Sequence, residues 1–472
     1  MEESLKFTTP NTNVRVIGRI EMFKLHEKAI ENINDSANSL IHTIEKITLP
    51  ETQTKSCGND LYSSATLTDK DILNMKFSLS NGLGEEVCKY FFHNNIAYGF
   101  IDQSYQTFCS VAQKIYKNKN ISQIIGFKYL EEKLFLWIQN KNLGNEPNNF
   151  YDYLSNICKA DVTEYKIIIP VPFTLSEDEF SLGKITYKTV TEKTIDDWFK
   201  HANKDNIKMN DEQGQKIKEF KIRIQKEIQG YIAGNFVCTA EISRAKELAY
   251  ANFSNSLSVL RLLSFANLNY KADCTTHEFG QSLAQGITYL SLDSKTLAIS
   301  YHSESLNKTL LWKIDKETIN YIANGPFKKA HELLLLDSLN NFQEKLLNAI
   351  IIYSKNTISR EIYDKILYIL VAMESMLLKT DSETIQQNIG QRLSYLIGKG
   401  LEDRKNIIKT IKGIYSIRSK YIHHGIIDFK DDELMLRFMN YAWLAFSNMI
   451  ISMDKFNTKE SFIEYLDNLM LS

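Results

Sequence analysis

The sequence predicts an α+β protein: a mixed α/β amino-terminal domain over residues 1–204, a mostly helical middle region over 205–326, and an all-α helical bundle over 327–472. Three observations predict it. The β-branched run Tyr165-Lys166-Ile167-Ile168-Ile169-Pro170-Val171-Pro172-Phe173 reads as a strand bounded by prolines. Residues 200–227 are charged and poor in large apolar clusters, the composition of a solvated helix or linker, which sets a boundary near residue 204. No proline follows Pro326 for 146 residues, which permits a nearly all-helical domain.

In chain order, residues 21–45 have helical character, 133–138 look like a short strand, and the charge-free aromatic segment 90–100 lies between them. After the strand at 165–173, a turn at 176–179 and the run Leu182-Gly183-Lys184-Ile185-Thr186-Tyr187 predict a second strand pairing with the first. Residues 241–268 have helical periodicity with many small side chains, and 288–313 are polar with some strand character. Repeats and low-complexity tracts are absent.

At about 100 to 200 residues per domain, a chain of 472 residues holds two to four domains with ordinary hydrophobic cores. Apolar residues at 43% and charged residues at 24% exclude a disordered or membrane-embedded chain. The longest apolar stretches, 366–378 and 441–453, fall short of the roughly 20 residues a membrane span requires, so no membrane partner is expected. The acidic start Met1-Glu2-Glu3-Ser4 leads into no apolar segment, and a cytoplasmic location is expected. The six cysteines, Cys57, Cys88, Cys109, Cys158, Cys238 and Cys274, form no C-x-x-C pair and are expected to be reduced and structural. Nor do the nine histidines sit at metal-ligand spacings, and neither a zinc site nor a cofactor is predicted. Phosphate-binding G-x-x-x-x-G-K-[ST] and dinucleotide-binding G-x-G-x-x-G runs do not occur.

A formal net charge of -1 hides an uneven distribution. Residues 391–425 hold eight Lys or Arg against two acids, whereas 426–472 hold eight acids against four bases. Such a basic segment suits a polyanion, although the run 404–420 also fits a merely solvated face.

Two charges interrupt apolar stripes. On a helix over about 403–424, Ile407, Ile408, Ile411, Ile414, Tyr415, Tyr421 and Ile422 form one stripe at helical spacing, and Arg418 lies within it. Glu374 is the one charge among residues 368–378, with Leu370, Val371, Leu377 and Leu378 three and four positions away. A carboxylate so placed needs a partner, and Arg392 and Arg418 are the candidates. Glu374 fits a structural ion pair as well as a catalytic group. His423 and His424 follow in the last turn, with Gly425 placed to end the helix in a left-handed conformation. His424 also fits an ordinary complement to the helix dipole. At about 100° per residue, His423 lies roughly 140° around from Arg418. The remaining histidines, His26, His42, His93, His201, His277, His302 and His331, have no partners at useful spacing.

Three ordered segments carry a resemblance: Ala372-Met373-Glu374-Ser375-Met376-Leu377-Leu378, then Gln391-Arg392-Leu393-Ser394, then Ile414-Tyr415-Ser416-Ile417-Arg418-Ser419-Lys420-Tyr421-Ile422-His423-His424-Gly425. Over residues 327–465 the chain resembles the ApeA-like branch of the HEPN family. The proline-flanked strand and Phe180-Ser181-Leu182-Gly183-Lys184-Ile185 are similar to regions that precede such domains. Aligning from the arginine selects His423 as the motif histidine; aligning from the glycine selects His424. The resemblance implies a dimeric, metal-independent endoribonuclease, a defence or toxin effector acting on transfer RNA or another RNA and answering to a phage-derived trigger. It implies catalytic roles for Arg418, His423, His424 and Glu374, with Arg392, Lys412, Lys420 and Tyr421 supporting the site or contacting RNA. The amino-terminal domain is then the sensing or recognising part. Two other readings stand beside it: a non-catalytic HEPN module that binds RNA or protein, and the partner of a separate nucleotidyltransferase in a toxin–antitoxin pair.

Overall fold

The structure is a computed structural model that describes residues 23, 25–47, 77–81, 83–94, 96–145, 148–202, 211–272, 276, 286–292, 299–305, 311–380, 382–425 and 429–471. Residues 1–4, Cys57, Cys274, His277 and the boundary expected near residue 204 fall outside them. The chain forms two compact units, one of Met1–Tyr165 with Val237–Leu248, the other of Lys166–Phe236 with Ala249–Ser472.

In the first unit β1 (Glu45–Ile47), β2 (Phe77–Ser80), β3 (Glu86–His93) and β4 (Ile96–Ile101) make an antiparallel sheet in the order β1-β4-β3-β2. The aromatic segment 90–100 is thus a hairpin, turned at Asn94 with a φ of 49° that asparagine tolerates better than most residues. Helices α1 (Glu27–Ser39), α2 (Asp102–Tyr116), α3 (Phe127–Asn142) and α4 (Phe150–Asp161) share a core with this sheet, in which Phe100 and Phe108 stack at 4.9 Å. The expected strand at 133–138 is instead part of α3. Leu130, Leu134, Trp137 and Ile138 are buried together, a spacing of three and four that six residues read alone cannot distinguish from a buried strand. A buried ion pair, Lys89 Nζ to Glu131 Oε1 at 2.9 Å, joins β3 to α3.

β5 (Thr163–Val171), in the second unit from Lys166 onward, forms the strand expected at 165–173 and lies at the edge of a sheet ordered β5-β9-β8-β7, where Pro170 costs least. The remaining members are β7 (Phe180–Leu182), β8 (Ile185–Thr189) and β9 (Ile232–Ala240), while β6 (Thr174–Ser176) lies between β5 and β7 in the chain. Residues 182–187 are therefore two strands and not one. Gly183, at φ +62°, turns the chain back so that Leu182 pairs with Ile185, and β8 pairs with β9, not with β5. Helices α5 (Glu192–Ala202), α6 (Asp211–Ile228) and α7 (Ile242–Arg261) follow the sequence reading of 200–227 and 241–268. On α7, Ser256 accepts a 2.9 Å hydrogen bond from buried Tyr187 and donates one to Leu182 O at 3.0 Å, locking the helix to the sheet.

The middle region, expected to be mostly helical, is mixed. Beside α6 and α7 it holds β9, the hairpin of β10 (Gly286–Leu292) with β11 (Ile299–Ser305), and β12 (Trp312–Ile314), which pairs in parallel with β6. The strand character read at 288–313 is that of β10, β11 and β12; helical periodicity dominates the rest of the window because α6 and α7 are long.

From Lys316 onward the described residues hold helices and no strand: α8 (Lys316–Ala323), α9 (Lys328–Leu335), α10 (Asn341–Ser354), α11 (Ile362–Leu377), α12 (Ile385–Ile397), α13 (Leu401–His424), α14 (Asp432–Ile451) and α15 (Lys459–Leu471). Helix α13 packs on α11, α12 and α14, burying Ile407, Ile411 and Ile414. Ile408 and Ile422 do not join this stripe, being 41% and 49% exposed. The apolar face of α13 is a seam about one residue narrower than the sequence suggested, and it ends at Tyr415. Among the described residues, no helix is long and apolar enough to cross a membrane.

A Cβ on Gly183 would lie 2.4 Å from Leu334 Cβ at a φ of +62°. Gly183→Ala should cost about 1–3 kcal/mol, seen as a lower urea midpoint at unchanged slope; an unaltered midpoint would show that the turn and Leu334 relax freely.

Candidate functional site

Helix α11 carries Glu374 and helix α13 carries Tyr415 and Arg418. The three meet. Tyr415 Oη donates to Glu374 Oε1 at 2.7 Å, and Arg418 Nη1 stands 3.6 Å from the same oxygen. The Arg418 guanidinium also lies 5.8 Å from the centre of the Tyr415 ring. Burial first, and then the bond to Glu374, push the Tyr415 phenol far above its ordinary value, so it remains a donor at every physiological pH. Of the two candidate partners for Glu374, the structure selects Arg418. Their side chains are 18% and 28% exposed, so the pair is partly hydrated and its attraction alone is worth about 1 kcal/mol. Arg418 Nε is buried without a hydrogen-bond partner among the described residues.

Beyond Arg418, α13 leaves the bundle core. Lys420, His423 and His424 are exposed, and the helix ends at Gly425 in the left-handed conformation expected for it, with φ 61° and its N–H bonded to Tyr421 O at 3.0 Å. Neither imidazole has a partner among the described residues. Tyr421 is half-buried and stacks on Tyr363 of α11 at 4.3 Å and an interplanar angle of 10°. With α13 helical through His424, Arg418, Tyr421 and His424 follow one another at intervals of three, each about 60° around from the last. His423 lies off this row. Neither histidine faces Arg418 along its own helix.

Arg392 does not reach Glu374. Its Nε bonds to Asp467 Oδ1 at 2.8 Å, its Nη1 to Leu377 O at 2.7 Å and Glu383 Oε2 at 2.8 Å, and its Nη2 to Glu383 Oε1 at 3.0 Å and Asp467 Oδ2 at 3.3 Å. Every N–H of this 4% exposed side chain is used, so Arg392 ties the ends of α11, α12 and α15 together and has no donor left for a ligand. The guanidinium, ahead of a backbone bond from Lys379, holds the Glu383 carboxyl below its ordinary value. Lys412 and Lys420 are exposed on α13.

Three of the other histidines do have structural partners: His26 caps α1 through Lys28 N at 3.3 Å, His93 Nε2 lies 3.3 Å from Asn94 Nδ2, and His331 accepts from Gly183 N at 3.2 Å. Cys88, Cys109, Cys158 and Cys238 are free thiols. Among the described residues, no three His, Cys, Asp or Glu side chains are grouped to hold a metal ion. Sequence reasoning missed the hydroxyl of Tyr415, the brace at Tyr363 and the acids at Glu383 and Asp467. A tyrosine inside an apolar stripe, whose hydroxyl must bond something, was the one available signal.

Removing the Tyr415 hydroxyl leaves Glu374 facing Arg418 alone. Tyr415→Phe should therefore lower unfolding free energy by about 1–2 kcal/mol, measured by urea denaturation, and unchanged stability would mean that water replaces the hydroxyl at no cost. Arg392→Leu should cost about 3 kcal/mol at pH 7. Because Glu383 is depressed in the folded state, its contribution is complete above the ordinary carboxylate pKa and is lost as pH falls through the folded value. The gap between wild type and Arg392→Leu should thus narrow in acid; a gap constant from pH 7 to 3 would refute the assignment.

No family model, curated protein or solved structure matches this chain, so a functional reading rests on the site itself and on the resemblance of its motif.

Proposed function

We propose that the all-α region is a HEPN bundle and that the protein is a metal-independent endoribonuclease. The observation that carries the reading is the Glu374–Arg418 pair: an arginine at the end of an apolar seam, aligned by a carboxylate from another helix, two turns before a helix end that presents two exposed imidazoles with no partner among the described residues. Arginine so held suits a phosphate, because it keeps donors for the non-bridging oxygens while one edge is fixed.

In the proposed reaction a histidine, His423 or His424, takes the proton from the ribose 2′-hydroxyl as that oxygen attacks the adjacent phosphorus. Arg418 stabilises the charge gathering on the non-bridging oxygens. The bond to the 5′-oxygen breaks, an imidazolium returns a proton to that oxygen, and the products carry a 2′,3′-cyclic phosphate and a 5′-hydroxyl. DNA, lacking the 2′-hydroxyl, is not cut. Since both histidines sit about 120° to 140° from Arg418 around α13, two copies facing each other complete the site better than one. Val371 and Ile422, 42% and 49% exposed, lie within a turn of Glu374 and Arg418 and offer apolar surface for such a homodimer. The amino-terminal unit is then the sensing part, and a phage-derived trigger and a transfer RNA or other RNA target belong to the same proposal.

A non-catalytic RNA-binding module is favoured by one observation, that neither imidazole is oriented by a neighbour among the described residues. Cleavage of total RNA and of a short single strand in EDTA, with and without phage lysate, separates the two. The wild type should leave cyclic phosphate ends, and Arg418→Ala and the double variant His423→Ala/His424→Ala should each lose at least about 100-fold in rate. Intact RNA with the wild type in every condition would sink the nuclease reading and leave the binding module.

A further inference from the structure

Tyr421 occupies the position between Arg418 and His424 in the row along α13, and its surroundings are unlike those of a core aromatic. One face is covered by Tyr363, which is itself 5% exposed, while Tyr421 is partly exposed among the exposed residues Lys420, Ile422, His423 and His424. The ring makes that single stacking contact, and its hydroxyl has no hydrogen-bond partner among the described residues. Two phenol rings held 4.3 Å apart and within 10° of parallel form a stiff slab, since tilting the outer ring would break contact with a residue that cannot move.

We propose that Tyr421, braced by Tyr363, is a nucleobase-stacking platform that makes this site select unpaired RNA. The proposal rests on the ribonuclease reading for its place in the reaction but not for its binding test. A base laid on Tyr421 would extend the tyrosine stack by one member. The adjacent phosphate would then fall toward Arg418 on one side or His424 on the other, each one helical turn away along the row. Bases in a duplex are covered on both faces and cannot use the platform, whereas a single strand offers a free face. Stacking is blind to base identity, so the platform selects strandedness and not sequence.

The test uses the full-length protein and single-stranded 2′-O-methyl oligonucleotides, which cannot be cut, carrying 2-aminopurine at each position in turn. The fluorescence of 2-aminopurine falls when it stacks. Wild type should bind, quench the probe most strongly at one position, and bind the same strand more weakly once it is paired into a duplex. Tyr421→Phe should keep affinity and quenching; Tyr421→Leu should lose about 5- to 150-fold in affinity and the position-specific quench, with an unchanged circular-dichroism spectrum. Equal binding by all three proteins, absence of binding by the wild type, or uniform quenching along the strand would each overturn the platform. Should Tyr421→Leu misfold, the position-specific quench and the single-strand preference of wild type decide alone. Tyr421-dependent binding by a protein that never cuts natural RNA would keep the platform and sink the nuclease; cutting with Tyr421-independent binding would do the reverse.

Discussion

The carboxylate of Glu374 is what holds Arg418 against the carboxy-terminal bundle. Leu370, Met373 and Leu377 bury the rest of its helix face, and an ionised group there is tolerable only when hydrogen-bonded. Tyr415 supplies the short bond and Arg418 the opposite charge. Because both come from α13, the contact sets the rotation of that helix against α11. It also marks where the helix stops being core. Ile407, Ile411 and Ile414 are buried before it, while Lys420, His423 and His424 are exposed after it. Past that pairing the row Arg418, Tyr421, His424 follows from helical spacing, with Tyr421 held on Tyr363.

Two arginines in this region have opposite fates for reasons of valence. Arg392 meets two carboxylates and a helix-terminal carbonyl, and all its donors are spent. Among the described residues Arg418 meets one carboxylate at 3.6 Å, shares that oxygen with a tyrosine, and has no partner for its Nε. A saturated guanidinium is a fastener, and an unsaturated one at a helix end can still take an anion. Residue type does not separate the two; the number of acceptors around each does.

How much was legible depended on the range of the forces involved. The strand read at 165–173, observed at 163–171, was readable because β-branching and flanking prolines act locally; that it lies at a sheet edge was not read from the sequence. The left-handed Gly425 followed from its place after two histidines. Residues 133–138 misled because that six-residue window of the helix holds no exposed side chain to reveal its period. The pair of strands at 180–189 misled because one glycine at positive φ outweighs the continuity of an apolar run. In the middle region the strand character read at 288–313 holds for β10, β11 and β12, while the partner of β12, the distant β6, was not legible.

Sequence alone determined the helical character after Pro326, the stripe on α13 up to Tyr415, the presence of two charges inside apolar surfaces, and the cap that ends the motif helix. Those are local properties, set by periodicity, propensity and backbone conformation within a few residues. Tertiary structure alone decided which charge meets which. Tyr415 and Glu374 are 41 residues apart and Arg392 and Asp467 are 75 apart, separations across which no pattern in the chain carries information. Helix packing brings such groups within 3 Å, and desolvation then makes each pairing obligatory.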